Sequence, residues 1–198
     1  SYTFDYMIKN SQDMGDLDAL IGDGDLGVTI SLAFTATKKR LEEVKENKIS
    51  EILFEIGLDI SDNAASTFGI LLCTMFMSAS KVTKDIEIIS LEDGLRMLNA
   101  AIIGVQEKGK ANRGEKTVLD AMIPAKDAFE NALISNLSAK SCITAALEAA
   151  KSGAESTKEM KAKTGRAYFF QERSIGIMDP GALAFVTFLE GMNRYFEE

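Results

Sequence analysis

The sequence predicts an all-α fold in which eight antiparallel helices form a closed barrel or bundle. Apolar residues recur at helical spacing through almost all of the 198 residues, and no strand-type alternation competes with that spacing. Only 2 residues are proline, which favours long helices. Short links between long helices imply antiparallel neighbours. The length, without a linker or repeat, predicts one domain over residues 1–198.

The first half of the chain predicts four helices. The first extends from about Phe4 to Leu20 and the second from about Val28 to Glu46. The third, from about Ser50 to Asp62, has Ser50 as its candidate N-cap. The fourth, from about Ser66 to Lys81, is apolar on nearly every side, so we expect it to be central and buried.

The second half predicts four more helices. The fifth, from Ser90 to about Glu107, starts with a capping box completed by Asp93. The sixth, from about Lys116 to Leu133, contains Pro124, which we expect to kink it. The seventh covers about Ser138 to Lys163.

The last helix follows the dipeptide Asp179-Pro180, an acidic N-cap with proline at the first helical position, and continues to about Phe196. Four segments interrupt the helical periodicity and are candidates for function: Ile21–Gly27, Asn63–Thr67, Lys108–Glu115 and Thr164–Gly181.

Composition excludes several classes of function. The net charge of -8 argues against nucleic acid or an anionic membrane as main partners, because both need a basic face. The sequence has no apolar run of about 18 residues, so we expect no membrane span. Cys73 and Cys142 lie in apolar helical surroundings, which predicts free thiols and a reducing cytoplasm.

The sequence contains no histidine. The chain therefore cannot carry a phosphohistidine, use an imidazole as a base, or bind a metal through imidazole nitrogen. Any catalysis must depend on carboxylates, hydroxyls, backbone dipoles and hard cations.

The strongest chemical signal is a group of three aspartates, Asp18, Asp23 and Asp25, around a glycine-rich turn. Crowded carboxylates repel one another unless a cation lies between them. Oxygen ligands select Mg²⁺ or Ca²⁺, and a few carboxylates without an EF-hand pattern suit Mg²⁺ completed by water and phosphate oxygens. The second helix begins just after, so its free N–H groups favour an anion there. On spacing alone, a solvated acidic turn with Asp25 as a helix cap explains the pattern equally well.

Other segments offer weaker signals, each with an ordinary structural alternative. Ser66 and Thr67 could bind phosphate or simply cap a helix. The basic segment 108–117 could contact a ligand or form a surface turn. Arg166 and Arg173 could pair with phosphate oxygens or be surface charges. A Walker A sequence does not occur.

Three segments together resemble one known family. Residues 17–27, 116–124 and 165–182 are similar, in order and spacing, to the nucleotide-binding L subunit of dihydroxyacetone kinases. The resemblance covers essentially the whole chain, and three separated matches are far more specific than any one of them.

The resemblance implies an eight-helix antiparallel barrel with ADP or ATP at one end. It implies two Mg²⁺ ions on Asp18, Asp23 and Asp25, and no catalytic residue beyond positioning and metal catalysis. Further implied nucleotide contacts fall into three groups: Leu26, Gly27, Val28, Thr29, Ser66 and Thr67 at the phosphates, Gly109 and Val118 at the adenine, and Arg166, Asp179, Pro180 and Gly181 in a closing loop.

The resemblance also implies partners. A separate K subunit holds dihydroxyacetone on its own histidine, and the L subunit delivers the phosphoryl group to it. In bacterial split systems a phosphocarrier-linked M subunit can rephosphorylate an ADP that stays bound. Leu26, Phe68 and Val118 depart from the family's usual residues. These departures leave open an ATP-exchanging subunit for another ketose such as erythrulose, or a nucleotide-dependent regulatory binding protein.

Overall fold

The computed structural model describes residues 2–43 and 48–196, and over those ranges the chain forms helices and no strand. The prediction of an all-α fold is confirmed. The α-helices are α1 (Tyr2–Lys9), α2 (Ser11–Ile21), α3 (Leu26–Glu43), α4 (Ile49–Asn63), α5 (Thr67–Lys81), α6 (Leu91–Gly109), α7 (Leu119–Ile134), α8 (Ala139–Ser156) and α9 (Pro180–Tyr195). Two 3₁₀ segments, Thr157–Glu159 and Arg166–Ser174, lie between α8 and α9.

The helices form a closed ring. From α3 onwards each helix packs against the next, and α9 returns to pack against α1. Both α1 and α2 pack against α3, which completes the circuit. One core cluster occupies the half of the ring built from α6 to α9, and a second occupies the half around α1, α3, α4 and α5. Between the helices of the ring lies an apolar cavity of about 630 Å³.

Local capping signals place several helix starts correctly. The side chains of Ser66, Ser90, Ser138 and Asp179 each accept a hydrogen bond from a backbone N–H in the first turn of their helix. The predicted capping box is complete, because Asp93 also accepts from the Ser90 amide. The two cysteines are free thiols, as expected.

The predicted first helix is in fact two helices, α1 and α2, separated at Asn10. Both the backbone and the side-chain amide of Asn10 donate to the Tyr6 carbonyl, at 3.2 and 2.7 Å. An asparagine side chain that bonds its own backbone in this way competes with helix continuation. The described residues therefore contain nine α-helices where the sequence predicts eight.

Other predicted boundaries are also wrong. Ser50 is not a cap, because α4 begins at Ile49. The sixth predicted helix starts at Leu119 instead of Lys116, whose φ of 63° is left-handed. The predicted end of the second helix at Glu46 lies outside the described residues.

The seventh predicted helix is too long, since α8 ends at Ser156. Beyond it, the hydroxyl of Thr157 donates to the Ala154 carbonyl at 2.5 Å and accepts from the Asp179 amide at 2.8 Å. The second of these bonds ties the end of α8 to the start of α9. Among the described helices, none has the combination of length and apolar character needed to cross a bilayer.

Candidate functional site

The three aspartates predicted from the sequence come together at one end of the ring. Asp18 lies in the last turn of α2, and Asp23 and Asp25 lie in the turn that joins α2 to α3. Each offers a carboxylate oxygen, and those oxygens lie within 4.8 Å of one another. An all-oxygen donor set of this size fits a hard divalent cation such as Mg²⁺.

Glycines allow this turn to fold back on itself. A Cβ on Gly22 would stand 2.1 Å from Oδ1 of Asp18, so any other residue would displace that carboxylate. Gly24 has a φ of 76°, in the left-handed region that favours glycine. The Leu26 amide, at the start of α3, donates to Oδ2 of Asp18 at 3.3 Å. The turn therefore holds the aspartates and the helix start in one fixed arrangement.

The cluster carries more negative charge than its surroundings neutralise. Burial raises the pKa of Asp18 and of Asp25 above the usual range, and the neighbouring Asp23 carboxylate adds to both effects. Among the residues that the structure describes, Arg166 supplies the guanidinium at the cluster: it pairs with Asp23 and lies 3.8 Å from Oδ2 of Asp25. A cation with two positive charges is the natural complement to the charge that remains.

A cavity of about 400 Å³ extends from the aspartates, a volume within the range of small-molecule sites. It has an acidic end and an apolar end. At the apolar end, Ile70, Leu71 and Val105 contribute aliphatic side chains. Eleven of the sequence-predicted site residues line the cavity: Asp18, Asp23, Asp25, Leu26, Thr67, Gly109, Val118, Arg166, Asp179, Pro180 and Gly181.

Three helices begin at the wall of this cavity. Leu26, Thr67 and Pro180 are the first residues of α3, α5 and α9, and all three line it. The first turns of helices have backbone N–H groups without intrahelical partners and carry the positive end of the helix dipole. Three such ends on one cavity favour a polyanion such as a phosphate chain.

Four predicted site residues lie near the cavity without lining it. Gly27 packs against α2, where a Cβ would stand 2.5 Å from the Ser11 carbonyl. Val28 is 61% exposed. Thr29 donates to the Ser66 hydroxyl at 2.8 Å, and Ser66 accepts from the Gly69 amide at 3.0 Å. Direct contact between these four residues and a phosphate stays a prediction.

Asp179 is the buried N-cap of α9. Its Oδ2 accepts from the Ala182 amide at 2.8 Å. Burial raises the pKa of Asp179 to about 7, although the Ala182 amide and the nearby Lys116 ammonium both act to lower it. The side chain is therefore partly protonated near neutral pH.

The cavity also includes four residues outside the set of nucleotide contacts that the resemblance implies. Phe68, Lys108, Lys116 and Thr117 all line it. Lys116 is only 1% exposed, and its ammonium donates to the Thr157 carbonyl at 2.5 Å and to the Ile177 carbonyl. Those partners lie 41 and 61 residues further along the chain, so no local pattern identifies the role of this lysine.

Comparison with known proteins identifies a family to which this chain is similar. The profile described as the DAK2 domain matches residues 20–194. The ADP-binding subunit DhaL of the PEP-dependent dihydroxyacetone kinase from Escherichia coli K12 is 31% identical over 186 residues, which are 94% of this chain and 89% of that protein. The L-erythrulose 1-kinase of Mycolicibacterium smegmatis is 29% identical over 188 residues, which are 94% of this chain and 33% of that protein.

A solved structure has the same fold. The crystal structure of the dihydroxyacetone kinase from C. freundii in complex with AMP-PNP and Mg²⁺ superposes with a TM-score of 0.71 at 25% identity. The match covers 98% of this chain and 32% of that one. This chain therefore spans about a third of the length of the solved kinase and nearly all of the bacterial subunit.

Proposed function

This chain belongs to the family of DAK2 domains, and from that membership we propose that it is the nucleotide-binding subunit of a dihydroxyacetone kinase-type phosphotransferase. It holds ADP or ATP and delivers a phosphoryl group to dihydroxyacetone, or to a related short ketose, on a separate K-type subunit. The observation that carries the proposal is the cavity where three helix N-termini face three clustered aspartates.

We propose that Asp18, Asp23 and Asp25 hold two Mg²⁺ ions. Their oxygens lie close enough together to share such ions, and a carboxylate-only set excludes the metals that need nitrogen or sulfur ligands. Bound Mg²⁺ would offset negative charge on the phosphate oxygens during transfer.

The remaining residues bind and orient the nucleotide. The N-terminal turns of α3, α5 and α9 receive the phosphates, through Leu26, Thr67 and Gly181 with support from Gly27, Val28, Thr29 and Ser66. Adenine occupies the apolar end between Gly109 and Val118. Arg166 and the Asp179–Gly181 segment close over the nucleotide. The cavity lining supports these assignments for all the residues except Gly27, Val28, Thr29 and Ser66, which lie near the cavity without lining it.

We assign no acid or base to this chain. It has no histidine, and its clustered carboxylates are occupied as metal ligands in this proposal. Its contribution is positioning and electrostatic stabilisation, which are the main requirements of phosphoryl transfer.

A phosphocarrier M-type subunit would resupply the phosphoryl group, consistent with the PEP-dependent kinase to which the Escherichia coli relative belongs. We propose the cytoplasm as the location, because Cys73 and Cys142 are free thiols.

One alternative concerns the acceptor and the donor. The similarity to an L-erythrulose 1-kinase supports an ATP-exchanging subunit for a four-carbon ketose. A second alternative is a regulatory nucleotide-binding protein, because the Ser66–Gly69 stretch departs from the family's usual residues and its Phe68 lines the cavity. Phosphoryl transfer to dihydroxyacetone and to L-erythrulose, measured with a K-type subunit, separates these cases. Turnover excludes a purely regulatory role, and the preferred ketose identifies the acceptor.

Titration calorimetry with ADP and Mg²⁺ tests the site itself. Asp23→Ala and Asp25→Ala should abolish Mg²⁺-dependent ADP binding, because each removes a ligand. Asp85→Ala removes an exposed aspartate far along the chain and should bind like the wild type. Undiminished affinity in the first two variants would falsify the assignment.

A further inference from the structure

Lys116 is a nearly fully buried cation that the proposed reaction does not use. Its side chain is 1% exposed, and burial lowers the pKa of its ammonium while Asp179 and Asp120 raise it. Its backbone is also left-handed, with a φ of 63°, which is unfavourable for a residue with a Cβ. A desolvated charge on a strained backbone lowers stability, so the contacts that this residue makes must offset that cost.

Those contacts join the two ends of one loop. The Lys116 ammonium donates to the carbonyl of Thr157, before the loop, and to the carbonyl of Ile177, after it. Two further hydrogen bonds join the same two ends of the loop, which together form its base. The Gly176 amide donates to the Lys158 carbonyl at 2.7 Å, and the Asp179 amide donates to the Thr157 hydroxyl at 2.8 Å. Lys116 supplies the only charge in this set of four bonds.

The loop enclosed by these bonds, residues 158–176, carries Arg166 to the aspartates. Within it, Ala162 and Ala167 make a small apolar cluster with Ile21. Ser174 is also buried, and its hydroxyl accepts from the Ala162 amide at 3.1 Å. The other side chains of the loop are partly or fully exposed, and Phe169 is 82% exposed. Because only three side chains of this loop are buried, its position depends strongly on backbone bonds: those at its two ends, and the bond from the Lys163 amide to the Glu115 carbonyl at 3.2 Å.

We propose that Lys116 is a positioning residue: it clamps the base of loop 158–176 and thereby places the Arg166 guanidinium over Asp23 and Asp25. This inference rests on the proposed nucleotide site. It assigns to the buried ammonium a role that acts through Arg166, without direct contact with the nucleotide.

A double-mutant cycle tests this role, with ADP and Mg²⁺ as the probe. Lys116→Met has similar length and no charge, and it should weaken ADP binding by about 10-fold or more while Arg166 is present. In an Arg166→Ala background the same change should cost less than about threefold, because its effect passes through Arg166. The control is Lys140→Met, which replaces an exposed lysine on α8 and should leave the affinity for ADP unchanged in both backgrounds.

Equal losses in both backgrounds overturn the proposal, because Lys116 then acts on the nucleotide directly or only on the fold. If the wild type itself does not bind ADP with Mg²⁺, the proposed function fails instead, and the two failures are thus distinct. If Lys116→Met does not fold, Lys116→Gln, which keeps an N–H donor, enters the same cycle.

Chymotrypsin provides a second measurement that needs no nucleotide. Chymotrypsin cuts after aromatic residues, and Tyr168 and Phe169 are two exposed aromatic residues within the loop. Release of the clamp should speed cleavage at these two residues by about 10-fold in Lys116→Met, since proteolysis follows the population of open conformations. The Lys140→Met protein should be cut at the wild-type rate. An unchanged rate in Lys116→Met overturns the clamp.

Discussion

The Cα of Gly153 on α8 packs directly against the carbonyl oxygen of Asp120 on α7. A Cβ at position 153 would stand 2.1 Å from that oxygen. Four residues after Asp120 comes Pro124, which has no N–H to donate to this carbonyl. The Asp120 carbonyl oxygen therefore receives no helical hydrogen bond from residue 124. Because Gly153 has no side chain, α7 and α8 can approach closely at this oxygen.

Gly153→Ala should therefore destabilise the protein by about 1–3 kcal/mol, because the added methyl group forces α7 and α8 apart. Urea unfolding measures the loss. Gly94→Ala in α6 is the matched change, since the nearest atom to its new Cβ is 3.9 Å away. That variant should gain up to about 1 kcal/mol from helix propensity. Equal stability of the two variants would contradict the packing described here.

Ser66 joins two helices at the cavity. Its hydroxyl accepts from the Gly69 amide as the cap of α5 and also from the Thr29 hydroxyl of α3. Ser66→Ala removes the acceptor of both hydrogen bonds and should cost about 2 kcal/mol, at the upper end for a lost cap. Ser138→Ala removes an exposed cap from α8 and should cost less. Thermal unfolding of the two variants gives the comparison, and a smaller loss for Ser66→Ala would exclude the double role.

Asp18 should show a conflict between stability and function. Burial raises its pKa, so its charge opposes folding when no cation is bound. Asp18→Asn keeps an oxygen for the Leu26 amide and should raise the melting temperature of the metal-free protein by about 2–4 °C, or about 1 kcal/mol. The same variant should lose the further rise that ADP and Mg²⁺ give to the wild type. Asp13→Asn, exposed on the same helix, should behave like the wild type in both conditions.

Phe68 separates two cavities. Its side chain lines both the site of about 400 Å³ and the apolar interior of about 630 Å³, and its ring lies beside Gly181. Phe68→Ala should connect them and cost up to about 3 kcal/mol. An apolar fluorescent dye should then bind more strongly, and ADP more weakly. The matched variant Phe54→Ala removes a ring on α4 that is 45% exposed and lines neither cavity. Unchanged dye binding would show that the ring is not a partition.

Asp179 should make stability depend on pH. Its folded pKa of about 7 exceeds the ordinary aspartate value of 3.8, so the native state binds more protons between about pH 4 and pH 7. This residue therefore reduces stability progressively as pH rises through that window, by at most about 1.4 kcal/mol per unit. Asp179→Asn keeps the cap and should gain on the wild type as pH rises from 5 to 8. Urea midpoints across that range measure the difference, and parallel curves would contradict it.

Asp93 provides a contrast of opposite sign. Hydrogen bonds from Ser90 and Arg96 lower the pKa of this partly exposed carboxyl to about 2. Its stabilising effect is therefore present above about pH 4 and is lost as pH falls towards 2. Asp93→Asn should be less stable than the wild type at neutral pH, with a difference that shrinks in acid.

Local chemistry explains what the sequence could predict. Caps such as Ser66 and Asp179 bond to amides three residues away, and the acidic turn is one contiguous segment. Both features can therefore be recognised in the sequence. The break at Asn10 also depends on local contacts. Asparagine occurs within helices too often, however, for its presence alone to predict a break between two helices. The end of α8 depends on the Asp179 amide, 22 residues after Thr157, and the burial of Lys116 depends on still more distant carbonyls. Such contacts exist only once the ring has closed.

The wall of the site is drawn from stretches near residues 18–26, 67–71, 105–118 and 164–181. Because no single stretch of the chain supplies the whole wall, we expect nucleotide to bind only to the folded molecule. Occupancy then adds directly to the free energy of unfolding, by about 4 kcal/mol at a thousandfold excess over Kd. A chain that loses its nucleotide would thus lose both its activity and much of its resistance to cellular proteases.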